Sequence, residues 1–110
     1  MWKKINSLSE DAGMCARSGH TAVLDGSKVI IFGGYTGKEV LGDLWSFDLE
    51  SLEWQEIEPM FKPVARMSHA ACIDFGRMYI HGGSGLNIGS ENLDDLWELN
   101  LSNLNFTEVR

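Results

Sequence analysis

The chain has 110 residues, 44% hydrophobic and 23% charged, which is ordinary for one small globular domain and excludes a disordered polymer. Nine Lys and Arg against 16 Asp and Glu leave a net charge of −7, which excludes a general grip on nucleic acid, because that needs a basic face. No apolar run approaches the ~20 residues of a membrane span. The opening "MWKKINSLSEDAG" lacks the apolar stretch of ~7–15 residues that a secretion signal needs. A soluble, cytoplasmic chain is expected, with no membrane attachment. The two cysteines, Cys15 and Cys72, lack CxxC spacing and belong to no His/Cys cluster, so no metal and no cofactor are expected. Cys72 is expected to be buried and Cys15 to lie in a loop, both reduced.

In chain order, "WKKI" (2–5) matches "WQEI" (54–57) at an offset of 52. Next comes "ARSGHTAVLDGSKVIIFGG" (16–34), which returns as "ARMSHAACIDFGRMYIHGG" (65–83) at a constant offset of 49. Arg17 meets Arg66, His20 meets His69, and Gly33-Gly34 meet Gly82-Gly83. Past the glycines the offset becomes 52, and "GDLWSFDLESLEWQEI" (42–57) falls on "DDLWELNLSNLNFTEV" (94–109). The second loop, "SGLNIGSEN" (84–92), has therefore gained three residues. A repeat of charge, glycine and aromatic positions in one order means one structural unit used twice.

Within each unit the elements are short strands. "GHTAVL" and "SKVIIF" are β-branched apolar runs joined by "DGSK", and their lack of clean alternation predicts burial on both faces. "DLWSFDL" alternates: Trp45, Phe47 and Leu49 share one face, and Trp97, Leu99 and Leu101 repeat it. "EWQEI" and "NFTEV" are charged and amphipathic, as outer edge strands should be. The chain is all-β. Asp43, Asp48, Glu50, Glu53, Glu56 and Glu58 lie in a stretch free of Lys and Arg, and are expected to be a solvated outer surface.

"YIHGGSG" (79–85) raises the question of an oxyanion loop or a phosphate cradle. The first copy has Phe32 where His81 stands, no Gly-x-Ser-x-Gly elbow exists, and no Lys-Ser/Thr follows the glycines. The double glycine is punctuation at a strand end.

A four-stranded unit of ~50 residues is one blade of a β-propeller. The chain resembles the kelch repeat family, in the variety that carries "DLW" in the third strand. The resemblance rests on the hydrophobic runs into Gly33-Gly34 and Gly82-Gly83, and on the spaced aromatics Trp45 with Trp54 and Trp97 with Phe106. Phe106 departs from the usual tryptophan, and Ser84 stands where the first copy has Tyr35. The resemblance implies blade one over 16–58 and blade two over 65–110. Residues 1–8 would be the fourth strand of a preceding blade, a partial N-terminal strand here.

Two blades leave flat faces open, so Trp45, Phe47, Trp97, Leu99 and Leu101 are expected partly at the surface. Two arrangements would cover them: further kelch blades in a longer chain, or a ring closed by several copies. The resemblance also places Arg17 and Arg66 near the mouth of the central channel. With Ser18, Tyr35 and Ser84 they are candidates to meet a protein or peptide partner, the arginines by pairing with carboxylates. The alternative is that both arginines brace the blades, as their recurrence suggests. His20 and His69 read as packing between blades rather than metal ligands, and His81 as a packing residue. The expected function is a non-catalytic protein-interaction module. The alternatives are a segment of a propeller enzyme or small-ligand binder whose active residues lie on other blades, and a purely structural segment.

Overall fold

In a computed structural model the chain is described over residues 1–8, 13–87 and 91–110. Among these residues there are eight strands and no helix: β1 (Thr21–Asp25), β2 (Lys28–Tyr35), β3 (Val40–Asp48), β4 (Glu53–Ile57), β5 (Ala70–Asp74), β6 (Arg77–His81), β7 (Leu96–Asn100) and β8 (Asn105–Val109). They form two antiparallel sheets, ordered β1-β2-β3-β4 and β5-β6-β7-β8.

Local chemistry dictates the meander. Asp25 pairs with Lys28, and Asp74 with Arg77, so each first hairpin closes on two residues. Gly26 supplies the positive φ in the first turn (59°). In the second turn Phe75 and Gly76 both take it, at 46° and 75°. Each third hairpin turns on one side chain. Asp48 Oδ1 accepts the amides of Glu50 and Ser51, and Asn100 Oδ1 accepts those of Ser102 and Asn103.

The units differ at the second hairpin. β2 bulges between Phe32 and Gly34 and runs on until Tyr35 pairs with Val40. There Thr36 closes a tight loop, its Oγ1 accepting the amides of Lys38 and Glu39. β6 stops at His81, and Ser84 makes only isolated bridges to Met67 and Asn92. Past His81 the two arms stay joined by Gly82 N–H to Asp95 O, Leu93 N–H to Gly83 O and Gly85 N–H to Glu91 O. Residues 88–90 of that loop lie outside the described residues.

The core lies between the sheets. Val23, Ile30, Phe32 and Leu44 meet Met78, Ile80, Leu99 and Phe106, with Ile57, Ala71, Ile73, Trp97 and Leu101 packed around them. The Phe32 and Phe106 rings are 5.7 Å apart. Strand register sets this arrangement: Phe32 pairs with Leu44 and Met78 with Leu99, so neighbours across each sheet share the face that meets the other sheet.

Several expectations change. Trp45, Phe47 and Leu99 are buried, not partly at the surface. Leu99 sits in the inter-sheet core, while Trp45 and Phe47 pack with Trp54, at 6.5 and 4.8 Å between centroids. Burial on both faces holds for β2 but not for β1 or β5. Cys72 is exposed: in β5, Ala71 and Ile73 face the first sheet, whereas Ala70, Cys72 and Asp74 face away from it. His81 is exposed for the same reason. Residues 1–8 belong to neither sheet; Trp2 is fully exposed and Leu8 N–H donates to Leu52 O at 2.6 Å.

Candidate partner-binding site

In antiparallel sheets the starts of β1 and β5 and the ends of β2, β4 and β6 lie at one end. The candidate residues gather there. Ser18 and Tyr35 exchange backbone hydrogen bonds (3.0 and 2.8 Å), as do Met67 and Ser84 (2.9 Å each). An open cleft of about 400 Å³ follows, lined by Ala16, Arg17, Ser18, Tyr35, Thr36 and Gly37. The structure thus brings Arg17, Ser18 and Tyr35 together. Arg66 and Ser84 occupy the equivalent positions of the second sheet, where Arg66 is fully buried.

The double glycines explain how these segments fit. A Cβ on Gly34 would stand 2.9 Å from Ser18 O, and one on Gly83 would stand 2.6 Å from Met67 O, both within the same unit. A Cβ on Gly33 would stand 2.6 Å from Arg66 O, in the neighbouring unit. One glycine of the pair lets its own unit's opening segment cross, and the other lets the neighbour's cross. The 82–85 loop is no anion cradle. Gly82 N–H donates to Asp95 O, Ser84 N–H to Met67 O and Gly85 N–H to Glu91 O, so these amides are spent internally.

Both arginines are anchored inside their own unit. Arg17 Nη1 and Nη2 grip Asp43 at 2.6 and 2.9 Å, and Nη1 also reaches Gly33 O at 3.0 Å. Arg66 grips Asp95 at 2.7 and 2.8 Å and reaches Gly82 O at 3.1 Å. Trp45 Nε1–H donates to Asp43 and Trp97 Nε1–H to Asp95, at 2.8 and 2.7 Å. The guanidinium forks are filled by these contacts. Backbone hydrogen bonds also link the two sheets: Gly34 N–H donates to Arg66 O (2.9 Å) and Arg66 N–H to Leu41 O (3.0 Å).

The electrostatics follow. The Arg66 hydrogen bond holds the Asp95 carboxyl at about 2, against an ordinary 3.8, with Trp97 adding to it. Burial pushes Asp43 up, but Arg17 and Trp45 outweigh it and hold it below its usual value. The hydrogen bond to Asp43 raises Arg17. Asp43 and Asp95 are site residues that sequence reasoning missed. Asp43 was grouped with a solvated acidic surface, yet it is part-buried and paired. The available signal was its recurrence: Asp43-Leu44-Trp45 returns as Asp95-Leu96-Trp97, always with an arginine upstream.

His69 sits between the sheets. Its Nε2 lies 2.6 Å from Thr21 Oγ1, its ring meets Phe32 edge-on at 5.5 Å, and its Nδ1 is buried without a hydrogen-bond partner among the described residues. Burial, then Arg66, lowers its pKa from 6.5 to about 4. His20, its counterpart, is exposed at the outer face of the first sheet. Among the described residues no cluster of three His, Cys, Asp or Glu could hold a metal. At the same end, the connection from β4 to β5 exposes Met60, Phe61 and Val64.

Over residues 1–110 the sequence matches the family described as the KLHDC2/KLHL20/DRC7 Kelch-repeats domain. It is 41% identical to Kelch domain-containing protein 10 of Xenopus tropicalis over 68 residues, covering 62% of this chain and 16% of that protein. It is 36% identical to F-box/kelch-repeat protein At1g51550 of Arabidopsis thaliana over 110 residues, covering 92% of this chain and 22% of that protein. Against host cell factor homolog hcf-1 of Caenorhabditis elegans it is 33% identical over 92 residues, covering 76% of this chain and 11% of that protein. The chain therefore spans less than a quarter of these relatives' length. With a family match over its full length and two four-stranded sheets carrying the same glycine pair, arginine and tryptophan, this chain belongs to the kelch-repeat family, and each sheet is one kelch blade.

Proposed function

We propose that these blades form a non-catalytic protein-interaction module, with its contact surface at the end where Ser18, Tyr35 and Ser84 lie. Kelch repeats generally act as interaction modules, which supports the class. The observation that carries the reading is the cleft beside Tyr35, on the same end as the exposed Met60 and Phe61. Tyr35 in the cleft wall, with Met60 and Phe61 exposed elsewhere at the same end, suits a short peptide segment with apolar anchors. Arg17 and Arg66 act here as braces, with their forks occupied by Asp43 and Asp95. The partner is a protein or peptide rather than nucleic acid, in keeping with a net charge of −7. The exposed free thiols of Cys15 and Cys72 fit a reducing compartment, and a cytoplasmic location is part of this proposal.

The test is peptide selection by phage display on the immobilised chain, followed by affinities for wild type, Tyr35→Ala and Phe61→Ser. A loss of about tenfold or more in both variants, with unchanged melting, supports the reading. Peptides that bind both variants as well as wild type would place the contact elsewhere and sink it. A second reading, a small-ligand binder, rests on one observation: a cavity of about 450 Å³ at the opposite end, lined by Asp25, Lys28, Ser46 and Gln55 among others. A metabolite screen by thermal shift, with Lys28→Ala as control, separates the two.

A further inference from the structure

Strand register lays out the face of blade one that meets blade two in rows. Thr21, Phe32, Leu44 and Ile57 form one row, and Val23, Ile30, Ser46 and Gln55 the next. Asp25, Lys28, Asp48 and Glu53 form the last, at the end away from Tyr35. Phe32 and Leu44 in the first row lie in the inter-sheet core. The seam parts within the second. Val23 and Ile30 still reach the core, but Ser46 and Gln55 face a cavity of about 450 Å³, whose opposite wall is Leu101 and Leu104 of blade two. That volume lies in the range of small-molecule sites. Both walls are fixed by the chain's own turns. Asp25 and Lys28 close the β1–β2 hairpin, and Asn100 Oδ1 accepts two amides of the turn that carries Leu101 and Leu104.

Three polar groups here are uncommitted. Ser46 is only 5% exposed, and its hydroxyl makes no hydrogen bond among the described residues. A buried hydroxyl without a partner is costly, and valine would suit a strand better at that position. Asp25 and Lys28 are partners across the hairpin, yet neither joins an ion pair among the described residues. The cavity rim therefore offers one free charge of each sign, side by side, above an apolar floor.

We propose that this cavity binds a small zwitterion with a bulky apolar group, the chemistry of a free α-amino acid such as phenylalanine. The proposal rests on the small-ligand reading of the cavity and is independent of the peptide contact at the other end. Lys28 pairs with the ligand carboxylate and Asp25 with its ammonium group. The Ser46 hydroxyl and Gln55 amide bond the same polar end, while Ile30, Leu101 and Leu104 cover the apolar group. The two protein charges stand on paired residues, as the ligand's charges stand on one carbon. A ligand of single charge fits worse. Asp48 and Glu53 line an adjoining hollow and repel an anion, and Lys28 repels a cation.

The experiment is an amide NMR titration of the 110-residue chain with four probes: L-phenylalanine, 3-phenylpropionate, 2-phenylethylamine and glucose. Phenylalanine should give saturable shifts at the Gly26, Ser27 and Ser46 amides. Each single-charge analogue should bind about fivefold more weakly, which is the most that a charge pair at an exposed rim supplies. Lys28→Met should bring 2-phenylethylamine level with phenylalanine, and Asp25→Asn should do so for 3-phenylpropionate. A purely structural role for these residues would move neither preference. Ser46→Ala should weaken phenylalanine by about fivefold with unchanged melting, and Tyr35→Ala should leave it unaffected. An analogue that matches phenylalanine on wild type, or binding of glucose alone, overturns the zwitterion and leaves the small-ligand reading standing. Shifts confined to the Tyr35 end overturn the location. No shift at these amides with any probe at millimolar concentration overturns the proposal, and the metabolite screen then decides the small-ligand reading by itself.

Discussion

Acid should unfold this chain through His69 before it touches either carboxylate pair. The ring is buried between the blades, with one nitrogen on Thr21 and the other without a hydrogen-bond partner among the described residues. Burial and the nearby Arg66 charge lower its pKa from 6.5 to about 4. In the unfolded chain the imidazole takes a proton as pH falls through 6.5; in the folded chain it resists until about 4. Within that window the unfolded state binds more protons, so stability is full above the window and falls as pH drops through it. The gap corresponds to about 3 kcal/mol, a large share of the ~5–15 kcal/mol that holds a domain together. Asp95 loses its contribution only between 3.8 and about 2, below the window. Glu56 has the opposite sign: burial, then Glu58, raises it above 4.5, so it favours folding as pH falls, but it is exposed and screened. The assay is urea unfolding followed by tryptophan fluorescence at several pH values, on wild type and His69→Gln. Glutamine keeps a polar atom near Thr21 and carries no titration. Wild type should lose about 3 kcal/mol between neutrality and pH 4 while His69→Gln stays nearly flat across the same window. An equal slope in both proteins would refute the reasoning.

Two further perturbations probe the braces and the crossings. Asp95→Asn leaves the fully buried Arg66 with an uncompensated charge and should cost about 3–5 kcal/mol in urea unfolding. The double variant Arg66→Met with Asp95→Leu should cost less than that single change; a double that costs more means the pair itself, rather than the orphaned charge, supplies the stability. Gly33→Ala drives a Cβ against Arg66 O at a φ of +71° and should lower the melting temperature well beyond Gly26→Ala, whose Cβ meets open space. Equal losses would mean that backbone conformation alone sets the cost and that the close approach is irrelevant.

Much of the fold was legible because the chain states it twice. Arg17, Gly33 and Trp45 recur in order as Arg66, Gly82 and Trp97, so strand order follows from periodicity, and the change of offset from 49 to 52 marks where β6 stops short of β2. What the repeat hides is which face has a neighbour. Cys72 and Val23 occupy the same place in their units, yet Cys72 is exposed and Val23 buried, because only Val23 faces another blade. His81 and Phe32 differ in the same way. The roles of Asp43 and Asp95 were unread for another reason. A carboxylate counted by charge looks like surface, and only the recurring Arg and Trp that hold it show that it belongs inside.

Every ladder in either sheet joins strands that are neighbours in sequence, and the inner strands β1 and β5 make the principal long-distance contact between blades. A chain built this way closes only short loops within each blade, so it should form blades quickly and independently, with low contact order for an all-β protein. The slow, committing event is then the docking of one finished blade on the other, where Phe32 meets His69 and Phe106. Cooperativity in such an array is a nearest-neighbour coupling rather than a property of each unit. The seam therefore decides whether the two blades unfold as one or in turn, and native-state hydrogen exchange compared strand by strand between the two blades would report that coupling directly.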